Sequence, residues 1–175
     1  AFNIEDYQIL YGYLRNYTKN ISDEREIYNR KIIRDFILVQ SNTGLRFGEC
    51  RFLKWHYVSV VKGENKYPNV HIRIPSEISK VRKDRTSVGM RGDFFTRIKT
   101  YSNHTHSDDY IFSDMKTGEP LGKKVLYNMW HLIMRESGLG ESLNDYTYYC
   151  LRHTFATYRL QYGKVDIRTL AKVMG

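Results

Sequence analysis

The sequence predicts a mainly α-helical fold with a small antiparallel β-sheet, an α+β domain. Three observations predict it. Apolar residues recur at spacings of three and four over most of the 175 residues, as in helices that bury one face. Between about residues 55 and 88 the period falls to two, with β-branched and aromatic enrichment. No low-complexity or proline-rich stretch divides the chain, and 175 residues suit one domain with a sizeable core.

Each element follows from local signals. Ile4, Tyr7, Leu10, Leu14 and Tyr17 predict a helix over residues 4–19. Asp23, three residues before Glu26, fits a capping box opening a second helix. Ile33, Phe36, Ile37 and Gln40 form its stripe to about Asn42, and Thr43-Gly44 ends it. A short helix runs from Leu45 to about Lys54. Trp55–Val61 and Val70–Ile74 read as an antiparallel hairpin about the polar turn 62–69, with a third strand near Arg85–Val88. Phe94, Phe95 and Ile98 mark one further helix, and Val125, Met129, Leu132 and Ile133 another. Ser102–Glu119 between them is a polar loop. Tyr148–Tyr162 forms a helix ended by Gly163, and Asp166 caps a last one.

Composition narrows the class. Lys and Arg number 28 against 19 Asp and Glu, a net charge of +9. The excess is spread along the chain, which favours a folded face for a polyanion over a basic tail. No apolar run approaches the roughly 20 residues needed to cross a bilayer, and Ala1–Asp6 has no signal-peptide character. Two cysteines outside any Cys-x-x-Cys pair exclude a disulfide scaffold. These features predict a cytoplasmic chain with no membrane contact, its charge suited to a polyanion such as DNA. His104-Thr105-His106 has no Cys or acidic ligand at zinc-site spacing and reads as an exposed loop, so neither metal nor cofactor is expected.

Three basic elements carry the chemistry. Arg46 follows Thr43-Gly44-Leu45 at a helix start, with Glu49 three residues on. Lys80 lies in Ser79-Lys80-Val81-Arg82-Lys83-Asp84-Arg85 between strands. Arg152 stands near the start of a helix, in Leu151-Arg152-His153-Thr154-Phe155-Ala156-Thr157. A phosphodiester under attack gathers charge on its non-bridging oxygens, which two guanidiniums can clamp with forked hydrogen bonds. A leaving oxygen needs a proton, which a mobile ammonium on a turn can supply. Singly, each residue has a simpler reading: Arg46 paired with Glu49, Lys80 solvated, Arg152 and His153 structural.

Together the strings resemble the two conserved boxes of the tyrosine recombinases, the phage-integrase family. Thr43-Gly44-Leu45-Arg46-x-x-Glu49 is similar to the first box and Leu151–Thr157 to the second. Ser79-Lys80 with Arg85 resembles the family's Thr-Lys hairpin, and Gly163–Gly175 the approach to its Leu-Gly-His. The resemblance spans residues 3–175 and implies metal-free strand exchange on double-stranded DNA through a 3′-phosphotyrosyl intermediate. It implies catalytic roles for Arg46, Lys80, Tyr149 and Arg152, with Glu49 as structural support. DNA contacts would come from Arg46, Lys80, Arg82, Lys83, Arg152 and His153.

Two departures stand out. Tyr149 takes the place where the family usually has histidine. The family's third-box histidine and its nucleophilic tyrosine are expected after Gly175, so no nucleophile is expected among the fifteen tyrosines present. Residues 1–175 thus read as one catalytic domain without the family's N-terminal DNA-clamping domain or its tyrosine segment. Such a fragment is expected to be monomeric and inactive, and the full-length protein a homotetramer on DNA. The boxes barely separate an integrase from a chromosome-dimer resolvase or transposon recombinase. The alternatives are a DNA-binding module that has lost catalysis, and a metal-dependent nuclease built on Asp108-Asp109.

Overall fold

The computed structural model describes residues 1–64, 66–141 and 145–175. Helices α1 (Ile4–Arg15), α2 (Glu24–Thr43) and α3 (Phe47–Arg51) precede strands β1 (Val58–Val61), β2 (Asn69–Ile74) and β3 (Arg85–Gly89). Helices α4 (Asp93–Lys99), α5 (Lys123–Glu136), α6 (Tyr148–Gln161) and α7 (Ile167–Met174) follow. The predicted α+β class is therefore observed. Within the polar turn 62–69, Asn65 lies outside the described residues.

Asp23 opens α2 by accepting the Glu26 amide at 2.7 Å, giving a partner to an N–H that the first turn cannot satisfy. The helix is buried over more than the expected stripe. Tyr28, Ile32, Leu38 and Val39 are buried along with Ile33, Phe36, Ile37 and Gln40. Burial on all sides from Asp35 to Ser41 puts the C-terminal half of α2 through the core. The ring of Phe36 meets those of Phe47, Phe112 and Tyr148 at 5.1–5.6 Å, linking α2 to α3, the loop before α5, and α6.

Gly44 ends α2 with φ 66°, its amide donating to Gln40 O at 3.0 Å. A Cβ there would lie 2.4 Å from Phe155 Cδ1 on α6. Glycine is required by both the left-handed conformation and the close approach of α6.

The sheet has strand order β1-β2-β3, both pairs antiparallel, with Val58 opposite Ile72 and Ile72 opposite Ser87. Val70, Ile72 and Ile74 alternate into the core. Ser87 donates its hydroxyl to Thr43 O at 2.7 Å, and the Met90 amide donates to Asn42 Oδ1 at 3.1 Å. These bonds fix β3 to the C-terminal end of α2.

Tertiary contacts override local pattern in three places. Trp55–Tyr57 is a 3₁₀ turn rather than strand, because the amides of Trp55 and His56 donate to Asp109 O and Ser107 O. Helix α3 is shorter than expected, since Arg46 is extended at its start and Leu53 O accepts the Ile111 amide beyond its end. The segment 102–119 is not uniformly polar surface. Ile111 and Phe112 are buried, and His104 is half-buried, its carbonyl accepting from Trp55 Nε1 at 2.8 Å.

One buried charge holds α4 to α2. Asp35 accepts from Arg34 at 3.1 and 3.2 Å, from the Tyr101 hydroxyl at 2.8 Å, and from Arg97. Burial and the Asp35 charge push the Tyr101 phenol far above its ordinary value. Asp35→Ala would leave these donors without their acceptor, an expected loss of about 2–3 kcal/mol in urea unfolding. A loss within about 0.5 kcal/mol, the range of ordinary surface changes, would contradict this account. Among the described residues no helix is long and apolar enough to cross a membrane.

Candidate active site

The two arginines that the boxes single out lie some hundred positions apart in sequence and meet at the α2–α3 turn. Glu49, itself buried, reaches back to Arg46. Its Oε2 accepts the Arg46 amide at 2.9 Å, and its Oε1 accepts Nη1 of the guanidinium at 3.0 Å. One carboxylate thus closes the first turn of α3 and sets the direction of the Arg46 side chain.

Arg152 enters from α6 with only 6% of its surface exposed. Its Nη1 donates to Gly44 O at 2.5 Å, and its Nη2 to Met174 O at 2.9 Å and Gly175 O at 3.4 Å. Arg46 Nη2 also donates to Gly175 O, at 2.5 Å. The end of α7 therefore lies against both guanidiniums, its carbonyls carrying the negative pole of the helix.

A third arginine joins them that sequence reasoning did not assign to the site. Arg85, its side chain 8% exposed, binds Glu49 Oε2 through Nη2 at 2.5 Å and Val173 O through Nη1 at 3.1 Å. A signal for it exists in the strand alternation. Arg85 shares the inward face of β3 with Ser87 and Gly89, and an inward arginine needs an acid.

Electrostatics follow from this geometry. Three guanidiniums against one carboxylate leave an excess of two positive charges in a poorly solvated place. Burial, then the charge of Arg46, and also that of Arg85, pushes the Arg152 guanidinium down to about 10, against the opposing pull of Glu49. Burial also lowers Arg85. An anion bound among these groups would relieve the strain on both.

The turn between β2 and β3 supplies the next cations. Ser76 donates its amide to Asp84 Oδ1 at 2.8 Å, which closes the turn and lowers the Asp84 carboxyl. Lys80 and Arg82 are exposed there and line a cleft of about 720 Å³ with Arg46, Gly48, Glu49 and Ser79. Lys83 is exposed on the same turn but does not line the cleft.

Tyr149 and His153 form an edge-to-face pair, centroids 4.4 Å apart, on the solvent side of α6. Tyr149 is 59% exposed. His153 is exposed. Partial burial and nearby positive charge, Arg152 included, lower its imidazole. Asp108 faces His56 at 3.3 Å, while Asp109 accepts the His106 amide at 2.9 Å. Among the described residues no group of three or more His, Cys, Asp or Glu could hold a metal ion.

Comparison with known proteins identifies this architecture. The structure is similar to XerH site-specific recombinase bound to difH substrate, with TM-score 0.72 and 20% identity over 99% of this chain and 46% of that one. It is similar to XerA recombinase, with TM-score 0.67 and 21% identity over 99% of this chain and 53% of that one. It is also similar to FLP recombinase in a Holliday-junction complex, with TM-score 0.60 and 12% identity over 100% of this chain and 44% of that one. The chain spans about half the length of these proteins. No curated protein sequence matches it significantly. The fold is that of a tyrosine recombinase catalytic domain. Residues 11–175 match the phage integrase family, and the chain belongs to that family.

Proposed function

We propose that this domain cleaves and rejoins DNA strands in site-specific recombination of the integrase type. The observation that carries the reading is the convergence of Arg46 and Arg152, with their excess positive charge, on the carbonyl of Gly175, Arg46 also lining a cleft with Lys80. A scissile phosphate fits this site: Arg46 and Arg152 would hold its non-bridging oxygens, and charge gathering there in the transition state would meet preorganised donors.

In the step proposed, a tyrosine hydroxyl attacks the phosphorus and gives up its proton to solvent water. A 3′-phosphotyrosyl bond forms as the bond to the 5′ oxygen breaks, and that oxygen takes a proton from Lys80. Attack by a partner strand's 5′-hydroxyl reverses the sequence, so the phosphodiester bond energy is kept. Glu49 braces Arg46. Tyr149 stands exposed at the start of α6, where it can donate a hydrogen bond to a phosphate oxygen. Because the last turn of α7 lies on the arginines, a chain continuing past Gly175 would start from within the cluster. We assign the attacking tyrosine to that continuation. Lys80, Arg82, Lys83 and His153 would contact the DNA, and the full-length protein would act as a homotetramer on two duplexes.

The test is a suicide substrate nicked near the crossover, mixed with the full-length protein in EDTA. A covalent protein–DNA adduct is expected. Binding without any adduct would favour a second reading, a DNA-binding module that has lost cleavage, for which Tyr149 is the supporting feature. Cleavage that requires magnesium would favour a nuclease instead.

A further inference from the structure

We propose that Arg85 is a positioning residue for strand cleavage, tying the Glu49–Arg46 pair to the last turn of α7; this rests on the cleavage reading above. The side chain leaves the inward face of β3 and lies between two elements it did not come from. Nη2 holds Glu49 Oε2 at 2.5 Å on α3, and Nη1 holds Val173 O at 3.1 Å on α7. Nε is buried without a hydrogen-bond partner, packed so close to Gly175 that a Cβ there would lie 2.3 Å from it. Both terminal nitrogens are thus given to protein acceptors, and Arg85 does not line the cleft that Arg46 and Lys80 share.

This arrangement separates its role from that of Arg46, which lines the cleft. Glu49 aims Arg46 through Oε1, and Arg85 holds the other oxygen, so it fixes the plane of the carboxylate. The same guanidinium draws in the carbonyl end of α7, setting where the chain beyond Gly175 would enter the site. A planar fork can serve both acceptors at once, which a lysine ammonium on a flexible stem cannot. Small misplacements of reacting groups are costly in rate while leaving binding largely intact.

The test uses the full-length protein and nicked substrates in single-turnover cleavage. Arg85→Ala and Arg85→Lys should each slow adduct formation about 100-fold, with DNA affinity at fixed salt within about threefold of wild type. A second substrate carries a methylphosphonate at the scissile position, in which an uncharged methyl group replaces one non-bridging oxygen. It should restore cleavage to Arg152→Ala, which lacks a phosphate partner, and should not restore it to Arg85→Ala. Rescue of Arg85→Ala would overturn the proposal by making Arg85 a direct phosphate ligand. So would wild-type rates in Arg85→Lys, or a rate loss matched by an equal loss of DNA affinity. Should Arg85→Ala fail to fold, Arg85→Lys on both substrates decides the matter. No adduct from the wild type, or full adduct from Arg152→Ala on the ordinary substrate, would sink the cleavage reading itself.

Discussion

Arg152→Ala is expected to slow covalent adduct formation by about 10²–10³-fold or more, the range seen when one preorganised donor to transition-state charge is lost. DNA binding should survive with most of its salt dependence, because many phosphate contacts share that affinity. The structure adds a second consequence. Arg152 Nη1 is the donor to the buried Gly44 carbonyl, and Nη2 holds Met174 O. Removing it leaves acceptors without partners, a further cost of about 1–3 kcal/mol in stability. Arg152→Lys separates the two effects. A lysine keeps the charge but loses the fork, so its DNA affinity should match wild type while its cleavage rate stays close to that of the alanine variant. Equal adduct yields from Arg152→Ala and wild type would remove Arg152 from the site.

Glu49→Ala should be the most destabilising single change in the site, about 3–5 kcal/mol by chemical denaturation. Among the described residues the carboxylate is the one acidic group bound to both Arg46 and Arg85, and Arg85 is almost fully buried. Without it, two guanidiniums face each other with Arg152 close by, and the first turn of α3 loses the acceptor of the Arg46 amide. Glu49→Gln keeps the shape and one acceptor while removing the charge, so it should cost less than the alanine change. Its stability should also recover in added sulfate or phosphate, which can replace the missing negative charge. Equal stabilities for Glu49→Ala and wild type would show that the arginines are solvated and that the cluster does not form.

How much of this was legible beforehand depended on range. The caps at Asp23 and Asp166 and the break at Gly44 depend on residues within a few positions, and the structure has them where local chemistry puts them. The alternation in Val70–Ile74 likewise declared the sheet, and the third strand expected near Arg85–Val88 is β3. The 3₁₀ turn at Trp55 did not declare itself, because its amides are claimed by carbonyls of residues 107 and 109, some fifty positions on. Propensity for strand was real there, and a remote hydrogen-bond partner outweighed it.

The site divides the same way. From its strings alone the sequence determined the family resemblance, the pairing of Arg46 with Glu49 within one turn of helix, and Arg152 as the second guanidinium. Only the tertiary structure decided that Arg85 completes the cluster and that the end of α7 lies on all three arginines. It also decided that Tyr149 and His153 pair with each other on the exposed side of α6. The reason is physical. A buried charge must find its partner wherever the fold brings one, and the partners of Arg85 lie 36 and 88 positions away, beyond the reach of any periodicity or local motif.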